Sequence, residues 1–396
     1  MTKQYPKLYL KKGKEQCVKR RHPWIFTGAI GKYDQNIPDG SIVEICDYSG
    51  DFLALGHYSQ GPSIAVRIFS FEKADIDYDF WYHKIYEAYL LRQVLLQPMP
   101  DTNVYRLIHG EGDGMPGLII DIYHNNAVVQ FHNIGIWQER FHILEALKHI
   151  FNNDLATIYN KSAATMPHAF SDEIHDGFWY GSDSNAIVKE NGHQFVVDWV
   201  EGQKTGFFID QRENRLLVQR YALDRNVCNM FGYTGGFSVY ALAGKANTVD
   251  TVDYSKTAIE KAAQNSALNF PDNGKHRAIV DDAFSFLSKT TNPYNMIILD
   301  PPAFAKHHNV LDNALKGYKR INQIALQKIE KGGILFTFSC SQAVSAAEFR
   351  KTVFVAAANA KRNVRLLHQL SQPADHPVNI FHPEGEYLKG LVLYVS

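Results

Sequence analysis

Up to about residue 72, apolar positions fall in short runs separated by turn residues. Ser41–Asp47 and Asp51–Ser59 flank a Tyr48-Ser49-Gly50 turn, and Ser63–Phe71 is rich in β-branched and aromatic residues. No convincing helical period interrupts them, so the pattern predicts a small β-barrel over 1–72. From 73 to 185 the period changes. Residues 80–97 are helix-like and stop before Pro98 and Pro100, and Leu118–Tyr123 and Ala127–His132 read as a hairpin around His124-Asn125-Asn126. Trp137, Phe141, Leu144, Leu147 and Phe151 recur at helical spacing and predict one amphipathic helix. This middle segment is therefore expected to be a mixed α+β domain.

Beyond about residue 186, strand and helix patterns alternate. Apolar strand candidates are Val227–Phe231, Thr248–Asp253, Ala278–Asp281, Met296–Asp300 and Ile334–Ser339, with helical patterns such as Lys256–Leu268 and Asn313–Ile329 between them. Strands separated by helix-length segments form a parallel, doubly wound sheet. The continuous apolar run Met296-Ile297-Ile298-Leu299 fits a sheet covered on both faces. The expected fold class is α/β over 186–396, with the two smaller domains before it.

Composition narrows the setting. A 396-residue chain with 45% hydrophobic and 21% charged residues is long enough for two or three globular domains. It has no apolar run of about eighteen residues of the kind that spans a bilayer, and its opening residues have no signal-peptide pattern. Cys17, Cys46, Cys228 and Cys340 are far apart with no CxxC pair, and the histidines show no HExxH spacing. A cytoplasmic protein without metal or disulfides is expected. Net charge is zero, but residues 1–40 hold nine Lys or Arg against three acids. Lys11, Lys12, Lys14, Lys19, Arg20 and Arg21 form the cluster within it, suited either to phosphate contacts or to plain solvation. Glu111, Asp113 and Asp121 invite a metal reading, though the surrounding glycines and Pro116 favour a structured turn.

In a doubly wound sheet, ligands bind beyond the carboxyl ends of the strands. The first strand runs into Phe231-Gly232-Tyr233-Thr234-Gly235, whose glycines admit a ligand close to the backbone. The second ends at Asp253-Tyr254, with a carboxylate placed for ribose hydroxyls, and the third at Asp281-Asp282-Ala283, where either acid can meet an adenine amino group. The loop lacks the GxGxxG pyrophosphate fingerprint of nicotinamide enzymes. A phosphate-free nucleoside cofactor, S-adenosylmethionine, fits these features better.

The fourth strand ends Asp300-Pro301-Pro302, an acid beside rigid apolar rings that can hold a planar base. The fifth ends Ser339-Cys340-Ser341, so Cys340 is a candidate nucleophile or else a small buried hydrophobe. A thiolate is needed where the acceptor is carbon 5 of cytosine or uracil, because addition at carbon 6 makes carbon 5 nucleophilic. Methylation at nitrogen needs none.

With these residues in view, the whole chain resembles the bacterial ribosomal RNA large-subunit methyltransferase I family. The marks are Arg21-His22-Pro23-Trp24-Ile25-Phe26, Gly110–Gly117, Lys204–Arg212, the Tyr233–Phe237 loop, Asp300-Pro301-Pro302, Asp375-His376-Pro377 and Pro383–Lys389. The resemblance implies an N-terminal PUA domain, a central α+β domain and a C-terminal Rossmann-like methyltransferase domain. It implies 5-methylcytosine formation in 23S rRNA or a large-subunit precursor particle, and a homodimer. Cys340 would be the nucleophile and Asp300 the group at the cytosine edge. Asp210, Gln211 and Arg212 would border the cofactor pocket, with Asp253 on the ribose and Asp282 on the adenine. The chain departs from relatives at Asn160-Lys161-Ser162-Ala163, where an Arg-Ser-Asp-like run is expected. A guanine-nitrogen methyltransferase and a non-catalytic RNA-binding assembly factor are the alternative readings.

Overall fold

The structure is a computed structural model that describes residues 3–34, 36–61, 63–152, 154–167, 170, 173–271, 274–304 and 311–396. The chain forms two compact units. The first comprises Met1–Ala186, Val197–Ile209 and Ala374–Gly385; the second comprises Ile187–Val196, Asp210–Pro373 and Glu386–Ser396.

In the first unit, a six-stranded sheet runs Trp24–Phe26, Ile64–Ser70, Phe52–Tyr58, Ile42–Cys46, Lys7–Leu10 and Ile30–Tyr33 from edge to edge. Alternate residues, among them Leu8, Leu10, Val43, Ile45 and Val66, point into its own core. One short helical turn, Gln16–Lys19, interrupts it. A second, five-stranded sheet is ordered Gly177–Tyr180, Thr157–Asn160, Asn126–Phe131, Leu118–Tyr123 and Val104–His109. Its hairpin closes with Tyr123 opposite Asn126, and His124 takes a positive φ of 59° in the turn. The expected helix spans Tyr78–Leu96, starting where the Asp77 side chain accepts from the Phe80 amide.

The single amphipathic helix expected over 137–151 is corrected. Two helices, Ile134–Gln138 and Arg140–Ile150, meet at Glu139. The Glu139 carboxylate accepts from the buried Trp81 indole at 2.8 Å and lies 3.1 Å from His142. The break shifts the helical phase. Ile143, Ala146, Leu147 and Ile150 face the core, while Phe141 is 63% exposed beneath the Arg140 guanidinium.

The acids weighed for metal are occupied by other partners. Arg92 is fully buried and forms a bidentate pair with Asp113 at 2.6 and 2.7 Å, and also donates to the Arg106 and Asp375 carbonyls. Arg106 binds Asp121 bidentately at 2.7 and 2.9 Å, and the Trp24 indole donates to Glu111. Among the described residues, no group of three His, Cys, Asp or Glu is placed to hold a metal ion. Nor is any described helix long and apolar enough to cross a membrane.

The second unit is the α/β domain. Its helices are α1 (Arg212–Tyr221), α2 (Gly236–Ala243), α3 (Lys256–Asn269), α4 (Ala283–Lys289), α5 (Leu311–Lys328) and α6 (Ala346–Ala360). Its strands are β1 (Asn226–Met230), β2 (Thr248–Asp253), β3 (His276–Val280), β4 (Met296–Leu299), β5 (Gly333–Ser339), β6 (Val364–Leu370) and β7 (Lys389–Val395), in the order β3-β2-β1-β4-β5-β7-β6. The first five are parallel, and β7 inserts antiparallel between β5 and β6. All of β4 and β5 is buried, as their continuous apolar sequences require. Ahead of the sheet stands a hairpin of Asn185–Glu190 and His193–Asp198 that the hydrophobic pattern does not predict. It docks on α3 through the Gln194 and Val196 amides, which donate to Asn269 and Asn265.

The Arg92–Asp113 pair generates a stability prediction. Arg92→Met leaves a buried carboxylate without its cation and should destabilise the first unit by about 3–5 kcal/mol. Adding Asp113→Leu should recover most of that loss, because the double variant buries no lone charge. Thermal unfolding of the two variants and the wild type checks both statements.

Candidate active site

The parallel register brings the ends of β1, β2, β4 and β5 to one edge. Met230 is level with Val252 and Leu299, and Leu299 with Thr337. The residues that follow each strand therefore emerge side by side.

After β1 the backbone turns sharply. Phe231 and Tyr233 adopt positive φ angles of 57° and 45°, a conformation that costs roughly 1 kcal/mol or more per side-chain-bearing residue and concentrates at functional sites. Gly235 follows at 79° and leads into α2. At Gly232 an added Cβ would collide with the Thr251 methyl group, so the loop lies tight against β2. Thr234 is buried, and its carbonyl accepts from Asn265.

Asp253 braces this loop. One carboxylate oxygen accepts from the Tyr233 amide at 3.0 Å and the other from the Ser255 amide at 2.9 Å. Each oxygen keeps a second lone pair for a ligand hydroxyl. Next to it, Tyr254 is 84% exposed. After β3 the two adjacent acids differ: Asp282 caps α4 by accepting from the Ser285 amide, whereas Asp281 accepts from the Asp282 amide. Ala283 is buried at the first position of α4.

Asp300 follows β4. Its carboxylate accepts from the Gln211 side-chain amide at 3.0 Å, and Gln211 in turn accepts from Asn214 at 2.7 Å. The residue keeps some exposure, yet its carboxyl is enclosed by protein. Desolvation, reinforced by the Asp210 charge, raises its pKa to about 7. Asp210 accepts from the Tyr387 hydroxyl at 2.7 Å through one oxygen, and its other oxygen is buried with no hydrogen-bond partner. Arg212 is buried and lies 3.5 Å from Glu213. Pro301 is buried while Pro302 is exposed, so only the second ring is open to a visiting group.

Cys340 follows β5 and is partly exposed. The Ser341 hydroxyl beside it pairs with the Tyr318 hydroxyl at 2.9 Å. The Lys389 ammonium, from the start of β7, donates to the Ser341 carbonyl at 2.6 Å. Sequence reasoning alone assigns no role to Tyr318, Tyr387 or Lys389. The available signals are the Pro383–Lys389 motif, which contains Tyr387 and Lys389, and a lysine opening the strand KGLVLYV.

In the first unit, Lys11, Lys12, Lys14, Lys19 and Arg20 are exposed, and Arg21 is half-buried with φ 63°. The Lys12 ammonium lies over Tyr48, and the Arg21 guanidinium over Phe71.

Comparison with known proteins bears on both units. Residues 176–382 match the model of the S-adenosylmethionine-dependent methyltransferase family, and residues 8–71 match that of the PUA-like domain. The chain is 38% identical over 397 residues to a ribosomal RNA large subunit methyltransferase I from Klebsiella pneumoniae, covering 99% of this chain and 98% of the relative. The relative of the same name from Vibrio vulnificus is also 38% identical, over 98% of this chain and 99% of its own. A methyltransferase crystal structure in complex with SAH superposes with a TM-score of 0.85 at 23% identity, over 98% of this chain and 99% of that one. An S-adenosylmethionine-dependent methyltransferase from Streptococcus mutans gives 0.84 at 22%, with the same coverage. These last two establish a shared fold. The full-length relatives and the family model place the chain in the ribosomal RNA large subunit methyltransferase I family of S-adenosylmethionine-dependent methyltransferases.

Proposed function

We propose that this protein methylates carbon 5 of a cytosine in 23S rRNA, or in a precursor of the large subunit, in the cytoplasm. The observation that carries the reading is the placement of Cys340 and Asp300 at the ends of the adjacent strands β5 and β4. The names of the full-length relatives support an rRNA substrate. The exposed basic residues Lys11, Lys12, Lys14, Lys19 and Arg20, with Arg21, suit sequence-independent phosphate contacts on the PUA-like domain.

The residues fit the cofactor. Asp253 has lone pairs left for ribose hydroxyls, the Gly232 backbone leaves no side chain in the way, and the unpartnered Asp210 oxygen offers a buried acceptor. Phe231, Tyr233, Thr234, Gly235, Tyr254, Asp281, Asp282, Ala283, Gln211 and Arg212 complete the proposed surround. When bound, S-adenosylmethionine supplies an electrophilic methyl group on a sulfonium.

Cys340 does the rest of the covalent work. Its sulfur bonds to carbon 6 of the cytosine, and the electron pair of the 5,6 double bond shifts to make carbon 5 nucleophilic. Asp300, half-protonated near neutral pH, donates to the ring nitrogen that gains charge as the sulfur adds. Pro301 and Pro302 fix the backbone that presents it. Once carbon 5 holds the methyl group, whose bond to the sulfonium sulfur would break as the new bond forms, the carbon-5 proton would be lost to solvent. Departure of the Cys340 sulfur would restore the double bond, and the ring nitrogen would return its proton to Asp300.

Cys340→Ala should lose methylation by at least a thousandfold while still binding S-adenosylmethionine. Mass spectrometry of nucleosides from incubated rRNA should show 5-methylcytidine with the wild type only, and 5-fluorocytosine RNA should trap a covalent adduct. Methylguanosine, or normal turnover by the alanine variant, would refute the reading. Asp253→Ala removes charged hydrogen bonds of about 1.5–3 kcal/mol each, so calorimetry should record S-adenosylmethionine binding at least about tenfold weaker.

Asp300 also sets a stability profile. Its folded pKa lies above the unfolded value, so its contribution is complete below about pH 4 and is lost as pH rises through about 7. Asp300→Asn should match the wild type in thermal unfolding at pH 4.5 and exceed it at pH 8. The expected gain is roughly 2 kcal/mol, about half the full linkage value because the residue keeps some exposure. Equal melting curves at pH 8 would show that the carboxyl is not held in this way.

A further inference from the structure

The proposed chemistry needs a thiolate at Cys340, and Asp300 is an acid and cannot supply one by charge. A cation is present on the other side. In the antiparallel β5–β7 ladder, Ser339 is level with Lys389, so the lysine begins its strand where Cys340 leaves its own. Lys389 is buried. Lysines are almost never buried unpaired, because an ammonium loses its hydration. Its Nζ donates to the Ser341 carbonyl at 2.6 Å, a bond that anchors the ammonium on the residue next to Cys340. A neutral carbonyl offsets little of the desolvation of a full charge.

We propose that Lys389 is a positioning residue that holds Cys340 as its thiolate, the ammonium being fixed beside the sulfur by the Ser341 carbonyl. The inference rests on the reading of Cys340 as nucleophile for its purpose, though the ion pair stands or falls separately. Lys389 from β7 and Tyr318 from α5 both interact electrostatically with Cys340. Burial lowers Lys389 to about 8 while a negative Cys340 pulls it back up, and burial raises the Tyr318 phenol, which stays neutral. Tyr318 also pairs with the Ser341 hydroxyl, pinning the same dipeptide from the helix side. With the thiolate formed beforehand, its proton having gone to solvent, addition to carbon 6 needs no base at the sulfur. On elimination the sulfur leaves as the same stabilised anion, so no proton moves at this residue in the cycle.

The test is the rate of Cys340 alkylation by iodoacetamide from pH 5 to 10, read by mass spectrometry of the Cys340 peptide. Only the thiolate reacts, so the inflection reports its pKa. In the wild type it should lie well below the ordinary thiol value of about 8.5. Lys389→Met should raise it by one unit or more and slow alkylation at pH 7 by about threefold or more, and Lys389→Arg should stay near the wild type. A wild-type inflection at or above the ordinary value overturns the proposal without any variant, and so does an unchanged profile in a folded Lys389→Met protein. Methylation by Cys340→Ala would instead overturn the nucleophile reading, and the alkylation profile would still decide whether the ion pair exists.

Discussion

The chemistry of the second unit depends on one constraint, the register of its parallel strands. Because side chains alternate along a strand, a slip of one residue turns every side chain to the opposite face. Residues 227–230 of β1, 249–252 of β2 and all of β4 and β5 are buried, polar Asn229, Asp250 and Thr251 included, and this burial holds the observed register. The strained Phe231–Gly235 loop, Asp253, Asp300 and Cys340 each come at or immediately after the end of one of these strands. Their alignment is thus a consequence of core packing, and polar contacts among the residues then refine it.

Two carboxylates of this sheet show how surroundings assign roles. Asp250, inside β2, is fully buried and bound bidentately by Arg277 with the Tyr294 hydroxyl as a further donor. Its charge is compensated on the spot, which suits a structural part. Asp300 receives its hydrogen bond from the neutral amide of Gln211 and feels the like charge of Asp210. A carboxyl so placed can hold or release a proton near neutrality, as acid–base chemistry requires.

Much of this is legible in the sequence. Strand patterns separated by helix-length segments, and the glycine, acid, Asp-Pro-Pro or cysteine that follows them, reveal a parallel sheet of β1 to β5 and the candidate residues at the strand ends. The helix over 137–151 is misjudged from its period because periodicity cannot show that Glu139 is committed to the Trp81 indole, a partner far away in sequence. The hairpin before the domain and the antiparallel β7 escape for a related reason. Strand direction and sheet neighbours are set by long-range pairing that leaves no local period. Lys389 illustrates the limit: its identity is in plain view, but only the Ser339–Lys389 register gives it a place. Asp210 and Gln211 likewise acquire meaning from Tyr387 and Asp300, residues far along the chain.

The division of the chain has a topological consequence. Six segments alternate between the two units, so the backbone crosses from one to the other five times. A single nick at any crossing leaves the units joined by four other stretches of covalent chain. Neither unit corresponds to one continuous stretch of gene, and no single truncation yields either one whole.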